Sequence, residues 1–190
     1  MEVFIPTLET ARLHLRAFAL SDSSAVERLA GAAAIADTTL NIPHPYPQGA
    51  AADWIASHSE RAQRGNGWTW AITTQSGGEL LGAIGLSLVA QHQRGEMGYW
   101  MGQPFWNQGY TSEAAVAVLH HAFTIIGINR IYAYHFVRNP ASGRVMQKIG
   151  MQCEGCQRQH VRKGDRFEDL IVYAVLRENW VEQKGCRHSV

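Results

Sequence analysis

Glu96-Met-Gly-Tyr-Trp-Met-Gly-Gln-Pro-Phe-Trp-Asn-Gln-Gly-Tyr-Thr-Ser-Glu-Ala-Ala115 is the stretch on which the reading of this chain turns. Its first six residues read as a strand, the next nine as a polar loop bearing glycine, and the remainder as the first turn of a helix. Successive amides around Asn107, Gln108, Gly109, Tyr110 and Thr111 can therefore converge at a helix N-terminus, where about half a unit of positive charge from the helix dipole suits a phosphate. No lysine is needed in such a loop. The absence of Gly-Lys-Ser or Gly-Lys-Thr argues against a nucleotide P-loop, and the absence of GxGxxG argues against a dinucleotide fold.

Downstream, Ala115, Val118, Leu119, Ala122 and Ile126 recur at spacings of three and four, which predicts a core helix over 111–126 closed by Gly127. A strand is predicted over 130–136. Asn139-Pro140 combines a capping side chain with a proline at the first helical position, so a short helix should start there and end at Gly150. Two strands, near 151–161 and 169–176, follow around the turn 163–166. Upstream, 68–74, 80–89 and 96–101 read as an antiparallel meander, preceded by a strand in 12–18, a helix capped at Ser21-Asp22, an extended loop at Pro43, Pro45 and Pro47, and a helix over 50–64. This order predicts an α/β (α+β) fold in a single domain over 1–190. Its mixed, mostly antiparallel sheet has about seven strands flanked by about four helices, with a parallel portion beside the strand that ends at Met101.

The 190 residues fit one domain, and 46% hydrophobic with 17% charged residues suffices for a core. Seventeen Lys and Arg against 16 Asp and Glu leave a net charge of +1, so no global field exists to hold nucleic acid or an anionic membrane. Any anionic ligand must be met by local design. The opening residues MEVFIPTLET lack a secretory pattern and no apolar run reaches membrane length, so a cytoplasmic protein is expected. Cys153 and Cys156 stand at CxxC spacing, with Cys186 and His188 later, but Cys153 in a strand reads better as a small core residue than as a zinc ligand; no metal is expected.

The run Glu96 to Ala115 resembles the acetyl-CoA motif of the GNAT N-acetyltransferases, in particular their RimJ/RimL-like branch. Thr10-Ala-Arg-Leu-His-Leu-Arg16 is similar to that branch's opening strand, Asn139-Pro-Ala-Ser-Gly-Arg-Val-Met-Gln-Lys-Ile-Gly-Met151 to its Asn-x-x-Ser helix, and Cys153-Glu-Gly155 to its Glu-Gly strand start. The resemblance spans about 9–178, leaving 179–190 as a tail. It departs from the superfamily loop in Trp106 and Thr111, and Met146 stands where many relatives have a tyrosine acid.

The resemblance implies a sheet splayed at its central strands and an acetyl-CoA-dependent transfer to a primary amine, a protein N-terminus or a small molecule, in a monomer or homodimer. It implies that acetyl-CoA lies along the strand at Tyr99, Trp100 and Met101, with its pyrophosphate on the amides of Asn107, Gln108, Gly109, Tyr110 and Thr111. Asn139 would bond the pantetheine arm, while Arg144, Lys148 or Arg138 would meet phosphates. Glu96 would take the ammonium proton through water and Ser142 would serve the departing thiolate; His135 and His160 are alternative bases. The backbone N–H of Met101 or Tyr99 would face the oxyanion. The acceptor side would be built from Pro43–Pro47, Trp54, Trp68, Trp70 and the loop near His160. Three bland readings stand beside these: Glu96 as a strand-end carboxylate paired with an arginine, Ser142 as first-turn polarity, and the whole chain as a CoA-binding regulatory module or a ligand-free structural partner.

Overall fold

A computed structural model describes residues 5–180. One eight-stranded sheet runs in the order β1-β2-β3-β4-β5-β6-β8-β7. Its strands are β1 (Leu8–Glu9), β2 (Leu13–Arg16), β3 (Gly67–Thr74), β4 (Leu80–Val89), β5 (Arg94–Met101), β6 (Arg130–Phe136), β7 (Gln152–Lys163) and β8 (Arg166–Leu176). Among the described residues it is accompanied by α1 (Ser23–Ala30), α2 (Ala33–Thr38), α3 (Ala50–Gln63), α4 (Tyr110–His121) and α5 (Pro140–Lys148), and residues 177–180 are helical as well. Every neighbouring pair is antiparallel except β5 and β6.

Strand alternation sends side chains to two packed layers. Trp70, Ile72, Ile84, Leu86, Met97 and Ile131 join Ala114, Ala115, Val118 and Leu119 of α4 in the larger core. Ala71, Ala83 and Trp100 meet Val26 and Leu29 of α1 and Ala51 and Ile55 of α3 in the smaller one. Both Trp68 and Trp70 belong to the larger core, where Trp70 is fully buried and its indole N–H donates to the Pro6 carbonyl at 2.6 Å. They are core residues and take no part in an acceptor wall.

The expected capping chemistry is present. Asn139 precedes α5 and its Oδ1 accepts from the Ser142 N–H at 3.4 Å; Gly127 and Gly150 adopt left-handed φ of 78° and 87°. Two elements go beyond the expectation. Strand β1 has only two residues, too few to alternate visibly. Helix α2, AAIADT, has Ile35 and Ala36 as its buried positions, so it carries almost no periodic signal and forms on alanine propensity plus the burial of Ile35.

Cys153 corrects a further expectation. Both Cys153 and Cys156 are exposed, because β7 is the outer strand and β8 lies between it and β6. Pairing shifts at Cys153/Gly155 and Gln157/Val161 break its alternation. Cys186 and His188 lie outside the described residues, and among the described residues no cluster of three or more His, Cys, Asp or Glu is placed to hold a metal. No described helix is long and apolar enough to cross a membrane.

The feature that matters for the site is where β5 and β6 part. Their parallel ladder joins Arg94, Gly95 and Glu96 to Arg130, Ile131 and Tyr132 and stops, although both strands continue to Met101 and Phe136. On the other side β5 pairs with β4 along its whole length, from Arg94↔Val89 to Met101↔Gly82. That pairing is close: a Cβ on Gly82 would lie 2.3 Å from the Trp100 carbonyl oxygen and 2.9 Å from the Met101 Cα, whereas a Cβ on Gly98 would meet no atom within 4 Å. We therefore expect Gly82→Ala to cost about 1–3 kcal/mol of unfolding free energy in denaturant titration, while Gly98→Ala leaves it within about 0.5 kcal/mol.

Candidate functional site

Where β5 and β6 diverge, a single cavity of about 770 Å³ opens, bounded at one end by the β5–α4 loop and α5 and at the other by α1, α3 and the proline loop. The backbone of Gly98–Met101 forms one side, its β6-facing edge released from the sheet by the divergence. Trp106 holds this strand end: its indole N–H donates to the Met101 carbonyl at 2.6 Å. The tryptophan that departs from the superfamily loop thus ties the loop to the strand it follows.

The loop then turns through left-handed residues, Asn107 at φ 60° and Gly109 at φ 81°, before α4 begins at Tyr110. Glycine is the N-cap, so no side chain occupies the first amides of α4. Asn107, Gly109, Tyr110, Thr111 and Ser112 line the cavity, and Arg144 and Lys148, one turn apart on α5, line it from the facing side. Gln108 turns away, its amide donating to the Pro104 carbonyl at 3.0 Å. Trp100 lines the cavity while its side chain packs in the smaller core.

Arg12 is a functional neighbour that the sequence did not reveal. It donates to the Gln108 carbonyl at 3.1 Å, stacks on the Tyr110 ring at 4.5 Å and pairs with Glu113 at 2.7 Å. Glu113 also accepts from the Thr10 hydroxyl at 2.7 Å and the Arg12 N–H at 2.9 Å. Partial burial pushes the Glu113 carboxyl up, but the bonds from Thr10 and Arg12 outweigh it and hold the carboxyl below its ordinary 4.5. A clasp from the β1–β2 connection thereby fixes the first turn of α4 beneath the amides. Its sequence signal was Arg12 on the polar side of an alternating strand, which does not specify a partner a hundred residues away.

Across the cavity, the Tyr99 hydroxyl lies 2.9 Å from Ser142 Oγ and donates toward the Ser142 carbonyl at 3.2 Å. Burial pushes the Tyr99 phenol up to about 12, against the opposing hydrogen bond to Ser142, so it stays protonated. Asn139, besides capping α5, donates to the Thr38 carbonyl at 3.4 Å. Met146 is buried at 1% exposure.

Glu96 faces the same cavity and accepts from the Tyr132 hydroxyl at 3.2 Å. Among the described residues it has no arginine partner within 4.0 Å. Burial, and then the neighbouring Glu96, raises the phenols of both Tyr132 and Tyr134, which keeps both as donors to the carboxylate. His135 is buried, and its Nδ1–H donates to the Phe136 carbonyl at 2.8 Å, as a carbonyl can only accept. His160 is exposed on β7 and does not line the cavity. Arg138 is also elsewhere, held by Asp37 at 2.8 Å and Glu168 at 3.0 Å.

Pro43, Tyr46 and Trp54 line the far end. The β7–β8 turn braces this wall: Lys163 Nζ donates to the carbonyls of Leu40 at 3.2 Å, Ile42 at 3.1 Å and Thr39.

The sequence pattern of the acetyltransferase (GNAT) domain matches residues 12–152. The uncharacterized N-acetyltransferase YoaA of Bacillus subtilis is 35% identical over 116 residues, 60% of this chain and 66% of that protein. The ribosomal-protein-serine acetyltransferase of Escherichia coli is 31% identical over 97 residues, 50% of this chain and 54% of that one. Among solved structures, RimL, a ribosomal alpha-N-protein acetyltransferase in complex with coenzyme A, superposes with a TM-score of 0.82 at 22% identity, covering 90% of this chain and 98% of its own.

Because Glu113 has its carboxyl lowered on folding, its contribution to stability is present above pH 4.5 and is lost as pH falls through the folded-state value. Glu113→Gln should accordingly reduce stability in denaturant titrations at pH 7, and the gap between wild type and variant should narrow as the pH is taken below 4.5.

Proposed function

The chain belongs to the GNAT acetyltransferase family, and from that premise we propose that it moves the acetyl group of acetyl-CoA to a primary amine by direct attack on the thioester. The observation that carries this reading is the continuity of one cavity from an uncapped helix end, past a strand edge freed from its neighbour, to a carboxylate. The amides from Asn107 to Ser112 suit the pyrophosphate. Arg144 and Lys148 add two cations beside them, which a protein of net charge +1 must supply locally. The released edge of Gly98–Met101 suits the amide-bearing pantetheine arm.

Glu96 removes the proton that the acceptor's ammonium must lose, directly or through water, and Tyr132 and Tyr134 hold its carboxylate in place. As the carbon–nitrogen bond forms, negative charge grows on the thioester oxygen, and the backbone N–H of Tyr99 or Met101 is the nearest class of donor for it. The carbon–sulfur bond then breaks. Ser142 donates to the departing sulfur while Tyr99, hydrogen-bonded to Ser142 Oγ, supports it. Holding amine and thioester together in one walled cavity supplies much of the acceleration. A protein N-terminus, the acceptor type named for the ribosomal relative RimL, and a small amine both fit this chemistry.

Glu96→Gln should lower kcat at pH 7 by about 100-fold and Ser142→Ala by about 10-fold, measured as thiol release, with thermal stabilisation by acetyl-CoA retained in both. Unchanged turnover in both variants would remove these two roles.

A further inference from the structure

The acceptor end of the cavity has an unusual floor. Two rungs of the sheet, Thr69↔Gly85↔Gly98 and Gly67↔Ser87↔Glu96, present only Thr69, Ser87 and Glu96 as side chains beneath α3. Arg61, on the last turn of α3, reaches down to this floor and donates to Ser87 Oγ. Ser87 and Glu96 are direct cross-strand partners, so their Cβ atoms are about 4.5–5.5 Å apart. Yet Arg61 and Glu96 do not pair: Arg61 sits on the β4 side, Glu96 leans to Tyr132 on the β6 side, and no described carboxylate lies within 4.0 Å of the guanidinium. Among the described residues four charged side chains line the cavity, Arg61, Glu96, Arg144 and Lys148; the last two stand by the phosphate loop. The acceptor end therefore holds one cation and one anion, a short distance apart and each open to a ligand.

We propose that the acceptor is a small zwitterion of the α-amino-acid type, its amine at Glu96 and its carboxylate on Arg61. The inference rests on the acetyl-transfer reading and deepens it. An α-amino acid carries ammonium and carboxylate on one carbon, which matches a guanidinium brought by α3 to Ser87 of β4 and a carboxylate on the adjacent β5. A guanidinium engages a carboxylate through parallel N–H donors, and a bond to a neutral serine leaves donors to do so. Ile35, Ile42, Tyr46 and Trp54 wall the same space and receive an apolar side chain. A polyamine finds one carboxylate and one repelling cation there, and a peptide N-terminus presents an amide where the guanidinium offers a carboxylate site.

The test compares L-phenylalanine, its decarboxylated analogue 2-phenylethylamine and a C-terminally amidated peptide, by thiol release from acetyl-CoA with wild type, Arg61→Met and Arg61→Lys. Wild type should favour L-phenylalanine over 2-phenylethylamine at least tenfold in kcat/KM. That ratio should fall to about 1 in Arg61→Met and be partly kept in Arg61→Lys, whose charge is retained. Transfer without preference for the carboxylate, a ratio unmoved by Arg61→Met, or faster transfer to the peptide overturns the inference while leaving acetyl transfer intact. No transfer to any amine overturns the acetyl-transfer reading and this inference together.

Discussion

The structure depends on an interrupted ladder. β5 and β6 share three residue pairs and then part, so a backbone edge that would be paired in a continuous sheet is offered to a ligand instead. An exposed edge inside a fold is stable only where its surroundings are rigid. Here β4 pairs with the full length of β5, β8 pairs with the full length of β6, and Trp106 satisfies the Met101 carbonyl where the strand ends. The two walls are each held from outside, and the gap between them remains.

The rest of the site follows from that gap. α4 starts at the open end of β5, and Arg12 and Glu113 lock its first turn to the β1–β2 connection, so amides at the helix end point into the opening at a fixed place. α5 faces them with Arg144 and Lys148 and places Ser142 against Tyr99. The acceptor wall is fastened separately: Asp37 to Arg138, and the carbonyls after α2 to Lys163. In the proposed function, phosphate binding, thiolate chemistry and acceptor recognition take successive zones of one cavity, each braced by contacts between elements distant in sequence.

What could be read from the sequence was local backbone chemistry. Asn139-Pro140, Gly127, Gly150 and the alternation of β3 to β6 all act within a few residues, and each stands where expected. Gly98 and the β5–α4 loop were legible for the same reason. What escaped depends on sheet order and on long side chains. β8 inserts between β6 and β7, which turned Cys153 outward; Trp68 and Trp70 face the α4 layer because they take the opposite face of β3 from Thr69, which lines the cavity; Arg12 and Arg61 meet partners 101 and 26 residues away. No periodicity records such pairings.

In the proposed function the uncapped start of α4 and the freed edge of β5 together seat the acetyl donor. Backbone amide resonances followed during titration with acetyl-CoA test it most directly. Large, saturable shifts are expected at Gly98–Met101 and at Gly109–Ser112, with little change along β7. Saturable binding that leaves both of those segments unshifted would contradict it.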